Sequence, residues 1–217
     1  MIGTSRLFDL AARDDVDGLN AALRGTDLTR LHNDSGESLY RFALFQGHAK
    51  AAEVIRAAGG FGPHDAALMD DVARIETLVR AAPWAINLLS PNGWTALHLA
   101  AHVGSDAAVI KLVELGANAR TMSRAFEQNL ALHAAAAGHR IGRPALQRLI
   151  AATGDPDVLQ KQGYTALMIA AGGGFTAGCD VLLEAGAQRD MKLPDGKTAA
   201  DIAADRGHAE LAKRLAR

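Results

Sequence analysis

The chain has 217 residues, a formal net charge of −1, 49% hydrophobic residues and only 5% aromatics. That near-neutral balance argues against a nucleic-acid partner, which calls for a basic face. A single cysteine excludes an internal disulfide, and no run approaches the roughly 18 apolar residues of a membrane helix. The N-terminus, MIGTSRLFDLAARDD, turns acidic too early for a secretory leader. The expectation is therefore a cytoplasmic protein, and the alanine- and arginine-rich composition fits a bacterial source.

Taken in order, the chain reads as pairs of short helices. In LFDLAARDDVDGLNAAL, Leu7, Leu10 and Ala11 and then Val16, Leu19 and Leu23 fall at helical spacing. Asp14-Asp15 stands where a loop glycine would end the first helix, and aspartate tolerates the left-handed conformation. A second pair lies in DSGESLYRFALFQGHAKAAEVIRAAGG, with turn positions from Asp34 and Ser35. The third, HDAALMDDVARIETLVRAA, follows Gly59-Gly60-Phe61-Gly62-Pro63 almost at once. About nine residues of turn are missing there, which predicts a gap in the row of turns and a bend in the stack. MDDVARIETL echoes RDDVDGLNAA. Pro83 stops the helix, with Trp84 and Ile86 expected to pack beneath the next turn.

The fourth unit, NGWTALHLAAHVGSDAAVIKLVELGAN, is the most complete. Thr95 suits an N-cap, Leu97, Ala100 and Ala101 form an apolar stripe, and Gly104 and Gly116 suit left-handed helix ends. The turn after it, GANARTMSRAFEQN, is about two residues longer than GAQRDMKLPDGK and carries Met122 and Phe126. In NLALHAAAAGHRIGRPALQRLI, Leu130 replaces the capping Thr, and the loop between helices is enlarged around residues 139–144. QGYTALMIAAGGGFTAGCDVLLEAGAQ and DGKTAADIAADRGHAELAKRLAR complete the row, ending in Lys213, Arg214 and Arg217, which suit a helix C-terminus.

Thr165 and Thr198 are 33 residues apart, and Thr95 precedes Thr165 by 70 residues, two units of about 35. A period of about 33 with a Thr-x-Leu-His-x-Ala core resembles the ankyrin repeat. TALHLAA with LGAN, LALHAAA, TALMIAA with AGAQ, and TAADIAADRGH carry the resemblance. It implies an all-α solenoid of stacked helix-turn-helix units joined by β-hairpin-like turns, a single domain over 1–217. Approximate units are 1–32 as N-terminal cap, 33–60, 61–88, 89–121, 122–157, 158–190, and 191–217 as C-terminal cap.

The resemblance also assigns several of the eight histidines. His98 and His133 hold the Leu-His place, where the imidazole bonds between turn and helix. His48 and His208 follow the loop glycine, and His139 plays a related part. His32, His64 and His102 remain. His98 and His102 lie four apart, but no third ligand accompanies them, so no metal is expected. Cys179 reads as a small buried apolar residue. Gly172-Gly173-Gly174 lacks the strand and the Lys-Ser/Thr of a phosphate loop, and is read as leaving the inner surface open.

No catalytic residue and no cofactor are expected. The family likeness implies a protein-binding module, with a partner across the turn tips and the ends of the first helices. Trp94 and Tyr164 are the strongest anchors, since rigid rings bury area at low entropic cost. Phe126, His102, Phe45, Met69, Lys161, Lys197 and Arg206 complete the expected surface. The protein is expected to be a monomer, to bind another protein, and to bind neither nucleic acid nor membrane. The alternative is a ligand-binding or catalytic chain with its site in the groove, marked by a polar pocket at His102 or Cys179.

Overall fold

The computed structural model describes residues 4–26, 28, 31–33 and 37–216, so Asp34, Ser35 and Arg217 lie outside the described residues. Among these the fold is all-α. The helices are α1 (Thr4–Ala12), α2 (Val16–Ala22), α3 (Leu39–Phe45), α4 (Ala49–Ala57), α5 (Pro63–Leu68), α6 (Val72–Ala81) and α7 (Ala96–Val103). After them come α8 (Asp106–Glu114), α9 (Ala131–Gly138), α10 (Arg143–Thr153), α11 (Ala166–Gly172), α12 (Thr176–Glu184), α13 (Ala199–Asp205) and α14 (Ala209–Leu215). They form consecutive pairs. First helices α5, α7, α9, α11 and α13 pack on one another in sequence, and second helices α6, α8, α10 and α12 do the same. One core of leucine, isoleucine, valine and alanine runs between the two rows.

The local signals act as their chemistry requires. Thr95, Thr165 and Thr198 each accept the backbone N–H of the third helical residue, from His98 at 3.3 Å, Met168 at 3.2 Å and Asp201 at 3.3 Å. Leu130 has no oxygen to offer, but half of the capping arrangement survives, because Leu130 N–H donates to His133 Nδ1 at 3.1 Å. Asp14 and Asp70 are left-handed, at φ 52° and 55°. Each accepts an N–H from the second helix of a later pair, Asp14 from Ala51 at 2.9 Å and Asp70 from Ala108 at 2.6 Å. The aspartate that follows caps its own helix, Asp15 through Gly18 N–H and Asp71 through Arg74 N–H. The paired aspartates thus tie neighbouring units together as well as turning the chain.

Packing between first helices is tightest at α7 and α9, where a Cβ on Gly138 would lie 1.8 Å from the carbonyl oxygen of His102. Gly138→Ala is expected to lower stability by about 1–3 kcal/mol, seen as a lower urea midpoint. An unchanged midpoint would mean that the two helices separate freely.

The row of turns is interrupted once. Residues 82–95, 115–130, 154–165 and 185–198 connect the later pairs, whereas residues 58–62 alone join α4 to α5. The intact turns share a tip closed by an N–H···O=C bond: Ser90 to Trp94, Gln160 to Tyr164, and Leu193 to Lys197. The tip closed by Ser123 and Asn129 is two residues longer. Successive tips are stitched by Arg124 N–H to Gly93 O at 2.9 Å and Lys161 N–H to Glu127 O at 3.1 Å. Beside the gap the equivalent position is Pro91, which has no N–H to leave orphaned.

At the gap α3 and α5 stand further apart than the other neighbouring first helices. Side chains span the space. Asp65 accepts Ser38 Oγ–H at 2.7 Å and Gly62 N–H at 3.1 Å and pairs with Arg41 Nε at 3.4 Å, while Tyr40 meets the Phe61 ring edge-on at 4.6 Å. Ile86 is buried as expected, but Trp84 is 69% exposed. The short 3-10 helix Pro83–Asn87 turns only Ile86 toward the core, leaving the indole outside.

Candidate functional site

Each expected surface residue is placed by a helix end or a turn tip. Trp94 sits at the start of the fourth pair, its backbone fixed by Ser90. Its half-buried ring lies against His98, with centroids 5.8 Å apart, and meets His102 edge-on at 5.3 Å. His102 in turn contacts Ala134 O through Nδ1 at 3.3 Å. Trp94 and His102 therefore form one cluster over α7 and α9.

A second cluster joins two tips. Phe126 is 77% exposed on the long turn, and Lys161 Nζ lies 5.9 Å from its ring centroid. Tyr164 is half-buried and packs against the core, so part of its ring serves the fold. Phe45 and Met69 are 71% and 49% exposed where α3 and α5 end. Lys197 pairs with Asp205 at 2.8 Å, which partly neutralises it, and Arg206 is exposed beside that pair.

The histidines form a row that the sequence reading only partly recognised. His98 Nε2–H donates to Asn129 O at 3.0 Å, and His133 Nε2–H donates to Val158 O at 3.0 Å. His64 does the same in the third pair, reaching Leu88 O and Trp94 O, both at 3.1 Å. It therefore holds the Leu-His place there. In the second pair Arg41 occupies that place and pairs with Asp65 across the gap. Burial lowers the pKa of all three imidazoles, His64 and His133 to about 4. Their Nδ1 atoms matter too, since His98 Nδ1 bonds the Thr95 hydroxyl at 2.7 Å. With both nitrogens engaged, His98 has no lone pair to share with His102 for a metal.

The triple glycine has a packing use. A Cβ on Gly173 would lie 1.8 Å from His139 Nε2, so the space above it is taken by the neighbouring imidazole and is not open. The enlarged fifth loop also folds back, with Gly142 N–H on Asp106 Oδ1 at 2.8 Å and Ile141 buried. Cys179 is fully buried and its thiol is pushed up to about 12, chiefly by burial. No nucleophile is prepared there.

Two family profiles match the chain. Ankyrin repeats (3 copies) matches residues 132–217, and Ankyrin repeat matches residues 92–122. The chain is also similar to the Nuclear factor NF-kappa-B p105 subunit of Mus musculus, 31% identical over 234 residues, and to that of Gallus gallus, 29% identical over 226. The alignments take in 96% and 95% of this chain but only 23% and 22% of those proteins, so it spans under a quarter of their length. No helix among the described residues is long and apolar enough to cross a membrane. The helix pairs, threonine caps, turn-bonding histidines and profile matches all agree: the chain belongs to the ankyrin repeat proteins.

Proposed function

We propose that this chain is a non-catalytic binding module for another protein, which lies across the turn tips and the ends of the first helices. Ankyrin repeats generally mediate protein–protein interaction, and one observation carries the reading to this surface. The large exposed hydrophobic residues Phe45, Met69, Trp84, Leu88, Met122, Phe126 and Leu159 all fall on turns or at the ends of first helices, and none falls on a second helix. This restriction of exposed apolar residues to the turns and first-helix ends supports an interaction face there. Trp94 beside His102, and Phe126 beside Lys161, supply aromatic anchors with polar neighbours. Tyr164, Lys197 and Arg206 extend the face toward the C-terminus. The module acts as a monomer in the cytoplasm.

The test is affinity capture from the native cell with wild type and a Trp94→Ala/Tyr164→Ala variant side by side. The variant should recover its partner at least tenfold less efficiently, with unchanged circular dichroism. Equal recovery by both would refute the face assignment.

A further inference from the structure

The gap left by the missing turn is a cavity of about 740 Å³, within the size range of specific binding sites. It is lined by Pro63, His64 and Asp65 of the shortened unit, by Trp84 and Leu88 before the next, and by Arg124 of the following tip. We propose that this cavity receives an acidic turn of a partner protein, which takes the place of the chain's own missing turn. The inference rests on the protein-binding reading above and names one contact within it.

The shape supports a turn. Asn33, which opens the tip closed with Glu37 before the gap, is only half-buried, whereas the four tips from the fourth unit onward bury their first residue, Ser90, Ser123, Gln160 and Leu193. The gap lacks that residue and instead exposes apolar surface, with Trp84 and Leu88 69% and 47% accessible. An apolar side chain at the base of an incoming turn fits against them. Pro91 has no N–H to offer, so the incoming turn is held by side chains.

The charge supports an acidic one. Asp65 is the one carboxylate among the described lining residues, and Arg41, Ser38 and Gly62 N–H already engage it. Arg124 is exposed at the rim, fixed through its backbone bond to Gly93, and its guanidinium has no ion pair among the described residues. His64 commits Nε2–H to two carbonyls, which leaves Nδ1 as an acceptor. Among the described residues the rim therefore offers one uncompensated positive charge.

Two cyclic octapeptides test this. One carries Lys-Leu-Pro-Asp-Gly-Lys, the chain's own turn 192–197, and the other carries the acidic Glu-Leu-Pro-Asp-Gly-Glu. The readout is the indole N–H resonance of Trp84 in the full chain, assigned with Trp84→Phe. The acidic peptide should shift it saturably and bind at least tenfold tighter than the basic one. Arg124→Glu should reverse the preference, and Trp84→Ala, which removes the reporter and is therefore followed by titration calorimetry, should weaken the acidic peptide without altering its advantage. Absence of a shift, or a preference indifferent to Arg124→Glu, overturns the proposal. So does a shift with 1-anilinonaphthalene-8-sulfonate but not the peptide, which assigns the cavity to small organic anions. A shift with protein concentration alone assigns it to a second copy. Movement of the Trp94 indole alone places the peptide on the face proposed above, defeating this inference while leaving that one intact.

Discussion

Asp65→Ala is expected to destabilise the chain by about 3 kcal/mol and to loosen its N-terminal end selectively. The carboxylate is buried and is shared by Ser38, Arg41 and the backbone of Gly62. Removing it takes the counter-ion from a buried arginine, the type of loss that costs about 3–5 kcal/mol. The lower end applies because Arg41 keeps other contacts. Asp65→Asn retains a carbonyl oxygen for the Ser38 hydroxyl and should cost less. The location decides the consequence. Energies in a repeat stack add by unit and by interface, and the α3–α5 interface is the one held by side chains in place of close helix packing. In hydrogen exchange, residues 4–57 should lose protection in the variant while α7 to α13 keep theirs. Equal loss along the chain would show that the gap is no weak link. The α5 and α6 helices pack well on α7 and α8 and so belong with the more stable block beyond the gap.

Stability should also fall as the medium is acidified from pH 7 to pH 5. His64, His98 and His133 are held neutral by burial, with folded pKa values below their ordinary 6.5. The unfolded chain therefore binds protons that the folded one refuses. The histidine contribution is intact above about pH 6.5 and drains away between there and the folded pKa, about 4 for His64 and His133. For His133 alone the full difference is roughly 3 kcal/mol, about 2 of it lost by pH 5. Protonation is opposed by contact as well as by burial, since Nδ1 of His133 already accepts Leu130 N–H. Asp65, raised by burial, acts in the opposite direction. His133→Gln can keep a donor toward Val158 O and cannot titrate, so its urea midpoint should depend less steeply on pH. A wild-type midpoint that is flat between pH 7 and 5 would contradict the account.

What the sequence made legible depended on distance along the chain. Thr95, Thr165 and Thr198 were readable as caps because their partners lie three residues away. The aspartate pairs were readable as loop ends for the same reason, and the missing turn showed as a missing length. His64 escaped because the helix start moved. Gly62 caps α5, with Asp65 at its third position, so counting from the cap misses the histidine. Counting back six residues from the left-handed residue finds it, since His64 precedes Asp70 as His98 precedes Gly104 and His133 precedes His139. The surface was harder still. Whether Trp84 or Ile86 faces inward depends on a 3-10 turn, and the half-burial of Trp94 depends on imidazoles of its own unit that are oriented by carbonyls of the next, Asn129 O and Ala134 O. Neither follows from local spacing.

Cys179 gives the C-terminal half a built-in clock. The one thiol in the chain is sealed inside α12 and is almost wholly protonated at neutral pH. An alkylating reagent can reach it only when that unit opens, so the labelling rate records the opening, and a cysteine introduced elsewhere on the exterior would react alone.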